Sequence, residues 1–147
     1  MNKEHLKATM LALTEAELQQ AQHEYAEFLS AARTERTEPI ERDELAQART
    51  AADSAGAFDD QVHGYQEKLG QLRKVDFSPK QEVGVGAVVR SGGRHLVIAV
   101  STRAFRCDGI DFIGISTAAP VYQALKGKQA GEHCEFRGMR LTVDEVY

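Results

Sequence analysis

Two runs of apolar and small residues, spaced alternately three and four apart, decide what the first half of this chain can become. The first is Leu11, Thr14, Leu18, Ala21, Tyr25, Phe28 and Ala32; the second is Ala55, Phe58, Val62, Tyr65, Leu69 and Leu72. That spacing draws a narrow stripe along one side of a helix, the seam of a coiled coil rather than the broad face of a globular helix. Between the runs lies RTERTEPIERDE (33–44), polar and interrupted by Pro39. Proline is tolerated in a first helical turn, so Thr37 or Glu38 is expected to cap the second helix and Pro39 to open it. Two narrow stripes joined by a short turn can bury themselves only on each other. The expectation is an antiparallel helical hairpin over residues 1–75 with an acidic tip near 35–44. At about 1.5 Å per residue, its arms would make a rod of roughly 45 Å.

The grammar changes after residue 75. Three glycines precede residue 76 and nine follow it. Residues 1–75 carry nine Lys and Arg against fourteen Asp and Glu, whereas residues 76–147 carry nine against eight. Pro79 forbids a continuing helix and favours an extended approach at Ser78, which makes 76–82 a linker. Beyond it, VGVGAVVR (83–90) and RHLVIAV (94–100) are β-branched runs around Ser91-Gly92-Gly93, a hairpin signal. DFIGIS (111–116) reads as a third strand. Pro120 opens a short helix over 121–126 that Gly127 stops, Gly131 marks a further turn, and 134–136 and 139–143 read as closing strands. Residues 83–147 are therefore expected to form a small antiparallel-sheet domain with one short helix. The fold class is α+β.

Composition removes several functions. A net charge of −4 lacks the basic footprint of a protein that coats DNA. No apolar run approaches the roughly 18 residues of a membrane span, and the polar residues 1–10 do not resemble a secretory signal. Cys107 and Cys134 are too few for a disulfide framework, which fits a reducing cytoplasm. They read as buried small hydrophobes. His5, His23, His63, His95 and His133 share no ligand spacing such as H-x-x-x-H, so the histidines announce no zinc site. His23 and His63 are expected to face solvent beside the seams. Gly84-Val85-Gly86 lacks the third glycine of a dinucleotide fingerprint and reads as a strand bend. Arg90, Arg94, Arg103 and Arg106 read as a solvated face.

The tip holds the one concentration of chemistry. Glu35, Glu38, Glu41, Asp43 and Glu44 place five carboxylates in ten residues, beside Arg36 and Arg42. Glu41 and Glu44 are three apart and share a helical face. Such a pair can share a Mg²⁺ ion, which accepts one or two protein carboxylates and completes its shell with water and phosphate oxygens. An acidic first turn is equally what the helix macrodipole favours without any ion.

The segment ISTAAPVYQALKGKQAGE (115–132) resembles the C-terminal domain of the Gre-type transcript cleavage factors of bacterial RNA polymerase. The shared features are Ile115-Ser116, Pro120, Ala124-Leu125, Gly127-Lys128 and Gly131-Glu132. The resemblance spans 83–147 and implies an FKBP-like domain there, with an antiparallel coiled coil before it. Aligned without gaps from Glu67-Lys68-Leu69, Gly56 falls on a family glycine, and the family's acidic tip falls on residues 41–48. Glu41 and Glu44 then take the two acidic positions, with Asp43 as a third candidate. The pattern Glu41-x-x-Glu44-x-Ala46 also resembles the Asp-x-x-Asp-x-Ala tip of DksA-like secondary-channel regulators.

The resemblance implies a monomer that binds RNA polymerase at the rim of its secondary channel, on the largest subunit, through Ala118, Ala119, Pro120 and Val121. It implies a tip that meets the nascent RNA 3′ end indirectly and helps hold a Mg²⁺ shared with the polymerase, no cofactor being bound by the chain alone. The chain would then stimulate the polymerase's own cleavage of backtracked RNA and not be an enzyme itself. Leu45 and Ala48 stand where the family shows Asn and Tyr, and Ala118-Ala119 where it shows serines. These departures motivate the alternative of a channel regulator that inhibits or retunes transcription without cleavage. A prolyl isomerase would need an aromatic-lined pocket, for which this half offers Phe105, Phe112, Tyr122, Phe136 and Tyr147 and no Trp. A coiled-coil scaffold with no polymerase contact is the remaining reading.

Overall fold

A computed structural model describes the backbone of residues 1–35 and 42–147, and the side chains of 1–32 and 55–147. Helix α1 runs Lys3–Glu35 and α2 runs Arg42–Lys74. Seven strands follow, with one short helix among them: β1 (Val88–Ser91), β2 (Arg94–Ala99), β3 (Phe105–Cys107), β4 (Ile110–Ser116), α3 (Pro120–Leu125), β5 (His133–Phe136), β6 (Met139–Thr142) and β7 (Glu145–Val146). The α+β class expected from the two sequence patterns is the one observed. The chain divides into two compact units, Ala12–Leu69 and a second made of Met1–Leu11 with Gly70–Tyr147. No helix among the described residues is long and apolar enough to cross a membrane.

In the helical unit, burial follows the seams. Thr14 and Ala21 are buried and Leu18, Tyr25, Phe28 and Ala32 are half-buried, while most intervening α1 positions are exposed. On α2, Ala55, Phe58, Val62 and Tyr65 are half-buried and Leu69 is buried. The Phe58 ring lies 5.2 Å from that of Phe28 and 6.4 Å from that of Tyr25. Offset aromatic contacts at this range add to the area they bury. They also supply bulk to a seam whose alanines supply little. His23 and His63 face solvent and pair with Glu27 and Asp59 one helical turn away, at 3.1 and 3.4 Å.

In the second unit, a five-stranded sheet has the order β3-β4-β2-β1-β7, with β5-β6 as a separate ribbon. Both faces of the large sheet are covered. Val88, Val97, Ala99 and Phe112 pack with Leu6, Met10, Leu72, Val75 and Phe77. Val89 and Ile98 point the other way, onto Tyr122 and Leu125 of α3 with Val83 and Val143. A sheet buried on both sides explains why the sequence shows continuous β-branched runs instead of alternation.

Three turns share one device. The loops Gly92-Gly93, Asp108-Gly109 and Arg137-Gly138 each hold two residues with positive φ between paired strand ends. This is the type I′ pattern whose twist suits a hairpin, and Asp-Gly is one of its strongest signals. The first hairpin matches the expected one. The β3–β4 hairpin was not anticipated, because FRC (105–107) is too short to show a period.

Two features depart from the expected sheet. The first strand begins at Val88 rather than Val83, because Gly86 adopts a φ of +87° and its backbone passes against Asp76. A Cβ on Gly86 would stand 1.9 Å from the Asp76 carbonyl oxygen. The second departure is that β2 and β4 pair in parallel, whereas the other four ladders among the described residues are antiparallel. The chain leaves β2, passes to the sheet edge as β3, and turns back as β4 into the space beside β2. Gly114 makes that passage fit: the Thr102 hydroxyl accepts its N–H at 2.9 Å, and the Val100 carbonyl lies where a Cβ would sit.

The start of α1 is tied down by a buried lysine. The Lys3 ammonium donates to the carbonyls of Ser78 (3.0 Å), Gly86 (2.6 Å) and Tyr147 (3.0 Å). Burial, and then repulsion from Lys80, lower its pKa from 10.5 to about 8, so at neutral pH it remains charged with three protons for three acceptors. Lys3→Met should destabilise the fold by about 3 kcal/mol in urea unfolding, because the buried Gly86 carbonyl loses its donor and the part-buried Ser78 and Tyr147 carbonyls each lose one. The folded pKa lies below the unfolded one. Wild-type stability should therefore rise, relative to Lys3→Met, as pH climbs from about 8 toward 10.5. Gly114→Ala should cost about 2 kcal/mol or more by forcing a Cβ onto the Val100 carbonyl. Gly64→Ala, on an exposed α2 position with open space around it, should instead stabilise by about 0.5–1 kcal/mol in the same assay.

Candidate functional site

The segment expected to dock is the turn between β4 and α3. Pro120 occupies the first helical position, where its missing N–H leaves no bond unmade, and Ala119 supplies an extended N-cap without a side-chain bond. The turn is held from within. Ser116 Oγ accepts the Ala118 N–H at 3.1 Å, the Ser116 carbonyl accepts the Ala119 N–H at 3.0 Å, and the Gln123 amide donates to the Thr117 carbonyl at 2.9 Å. Below it, Tyr122 and Leu125 are buried in the core that covers the sheet. The result is a rigid corner with Ala118 and Pro120 exposed and Ala119 and Val121 half-buried.

That corner has no charged side chain from Thr117 to Leu125. It offers methyl groups and a proline ring over backbone already committed to internal bonds. It is suited to shape-complementary contact with another surface and has nothing to perform acid, base or nucleophilic chemistry.

The other expected site residues are Glu41, Asp43 and Glu44. Asp43 and Glu44 belong to the first turn of α2, and the side chains of all three lie outside the described residues, as does the expected cap at Thr37–Pro39. Of the arginines proposed as a solvated face, Arg90 pairs with Glu145 at 3.5 Å and Arg106 with Asp111 at 3.4 Å. Such exposed pairs contribute little, about 0–1 kcal/mol.

The second unit also contains an open cavity of about 760 Å³, lined in part by Lys3, Lys7, Asp76, Phe77, Lys80 and Tyr147. Its three lysines are already engaged. Lys3 is bound as described, Lys7 donates to the carbonyls of Arg73 and Val75 at 3.1 and 2.8 Å, and Lys80 pairs with Asp76 at 3.3 Å. The Ser78 amide and hydroxyl, both at 2.9 Å, hold the Asp76 carboxyl down at about 2, with Lys80 assisting. Tyr147 donates its hydroxyl to Glu145, which raises the phenol's pKa. These groups brace the chain against itself.

One cluster went unnoticed in the sequence. His5, Cys107 and Asp108 bring three donor atoms to within 4.8 Å of one another. The sequence carried a single usable hint, the Asp-Gly turn that places Cys107 and Asp108 side by side at a hairpin end. Nothing local points from there to residue 5.

No protein-family model matches the chain, and no curated protein matches it. Among solved structures, that of the transcription factor Gfh1 aligns with 93% of this chain and 92% of its own, at 14% identity and a TM-score of 0.36. A likeness at that level decides neither fold nor family, and the architecture described above rests on the chain's own geometry.

Proposed function

We propose that this chain is a Gre-type transcription factor that binds RNA polymerase, enters its secondary channel and stimulates the polymerase's cleavage of backtracked RNA. The observation that carries the reading is the motif of residues 115–132. Its quoted elements fall in order on one continuous piece of structure: the end of β4, the corner at Pro120, the end of α3, and the turns leading into β5. The hairpin seams that precede it support the same reading. Fold likeness alone would not transmit activity, so the proposal rests on these residues and their placement.

In this reading the uncharged corner at Ala118–Val121 docks on the channel rim, and Glu41 and Glu44, with Asp43 beside them, are the tip carboxylates. A shared Mg²⁺ would stabilise the attacking and leaving oxygens during hydrolysis of the RNA backbone. The role of the chain's own residues is to bring two anionic side chains, three positions apart in the sequence, to a centre that holds the second ion weakly. The catalytic machinery belongs to the polymerase.

A second reading has its own support in Leu45 and Ala48, which replace the family's Asn and Tyr at the tip. A tip that fills the channel without retaining the ion would inhibit or retune initiation. Incubation with stalled, backtracked complexes separates the two readings. Cleavage stimulation predicts RNA shortening by wild type and a drop of about 100-fold in Glu41→Ala/Glu44→Ala, since displacement of a catalytic group by about 1 Å already costs that much. Equal rates for the two proteins would remove the role of the tip. Promoter inhibition with no shortening would establish the regulator. Ala118→Lys alters an exposed side chain of the corner, so it should leave unfolding unchanged and weaken polymerase binding by about tenfold or more in a direct binding assay.

A further inference from the structure

His5 lies in the first turn of α1, and its backbone N–H donates to Asn2 Oδ1 at 3.0 Å, which caps that helix. Cys107 ends β3, and Asp108 begins the turn into β4 with a φ of +51°. His5 Nδ1 stands 2.9 Å from each Asp108 carboxylate oxygen and 3.7 Å from Cys107 Sγ. These residues belong to the same compact unit, although 102 positions separate His5 from Cys107.

A Cys–His–Asp constellation can be a nucleophile with its base, and here it is not. Such a relay needs the carboxylate on one ring nitrogen and the sulfur on the other. In this cluster Nδ1 faces both partners. The sulfur is also largely covered, which leaves little room beside it for a substrate carbonyl. Three donors converging on one point are what a cation requires.

The donor set selects the cation. A thiolate and an imidazole favour a borderline-soft ion such as Zn²⁺ and disfavour Mg²⁺ or Ca²⁺, which take oxygen. With Zn–S at about 2.3 Å and Zn–N at about 2.05 Å, a tetrahedral angle sets N···S at about 3.6 Å. The observed 3.7 Å matches. The same construction sets N···O at about 3.4 Å, so the carboxylate has to withdraw by about 0.5 Å. It is half exposed on a turn and has room to do so. Thr9 Oγ1 lies 3.4 Å from the sulfur, with its own proton donated to the His5 carbonyl at 2.9 Å.

The geometry points to a zinc site in which His5 Nδ1, Cys107 Sγ and one Asp108 oxygen are ligands and water is the fourth. On binding, the thiol proton leaves to solvent and a neutral imidazole lone pair goes to the metal. The ion joins the first turn of α1 to the β3–β4 hairpin. This site is independent of the corner and the tip, and its test does not involve polymerase.

The test uses the full chain, freed of metal by a chelator, dialysed and kept reduced. Titration with Co²⁺ should produce a near-ultraviolet thiolate-to-cobalt band that saturates at one ion per chain and is bleached by Zn²⁺. Cys107→Ser should abolish the band and Cys134→Ser should leave it. His5→Gln changes a half-exposed side chain, so the core stays intact while Zn²⁺ affinity falls by about 100-fold. Zn²⁺ should raise the Tm of wild type and leave that of His5→Gln unmoved. Absence of the band in wild type, its loss in Cys134→Ser, or equal zinc affinity in His5→Gln and wild type would each overturn the assignment.

Discussion

Three carbonyls from distant parts of the chain converge on one ammonium, and the order of the second unit depends on that meeting. Ser78, Gly86 and Tyr147 are 75, 83 and 144 positions from Lys3. The Tyr147 carbonyl also accepts the Val88 N–H at 3.1 Å, whereas the buried Gly86 carbonyl takes its donor from Lys3. A lysine supplies three donors on a stem long enough to cross the buried layer. The interaction therefore holds the entry to β1, the end of the chain and the start of α1 in a common frame. Gly86 belongs to it doubly, since its missing side chain lets the Asp76 backbone approach.

That frame lets a small sheet be covered on both sides. Leu6 and Met10 from the start of α1, with Leu72, Val75 and Phe77, shield one face, and α3 shields the other. The sheet closes its order without a long crossover helix, because β3 is only three residues and Gly114 admits the strand that returns beside β2. The short helix then serves two purposes. Its buried Tyr122 and Leu125 complete a core, and its proline-led start presents a rigid uncharged corner to solvent.

The proposed docking corner and the proposed zinc cluster divide the unit's exposed chemistry. The corner has shape and no charge, which suits it to a protein surface. The cluster has charge and soft donors, which suits it to an ion. Each is positioned by short-range bonds: Ser116 and Gln123 brace the corner, while Asn2 and the Asp-Gly turn set His5 and Asp108.

The sequence by itself determined what repeats locally. The three-four spacing specified both seams, and β-branched runs around Gly-Gly specified the first hairpin, because these periods follow from helix and strand geometry within a few residues. Proline and glycine placed α3 to within a residue for the same reason. Of the candidate site, the corner's local geometry followed from contiguous residues, whereas its docking role came from resemblance and the tip carboxylates from spacing and resemblance. Only tertiary structure decided the parallel β2–β4 pair, the truncated first strand, the Lys3 anchor and the His5–Cys107–Asp108 meeting. Each depends on two backbones arriving at one place from far apart in the chain, and no local period records such an arrival.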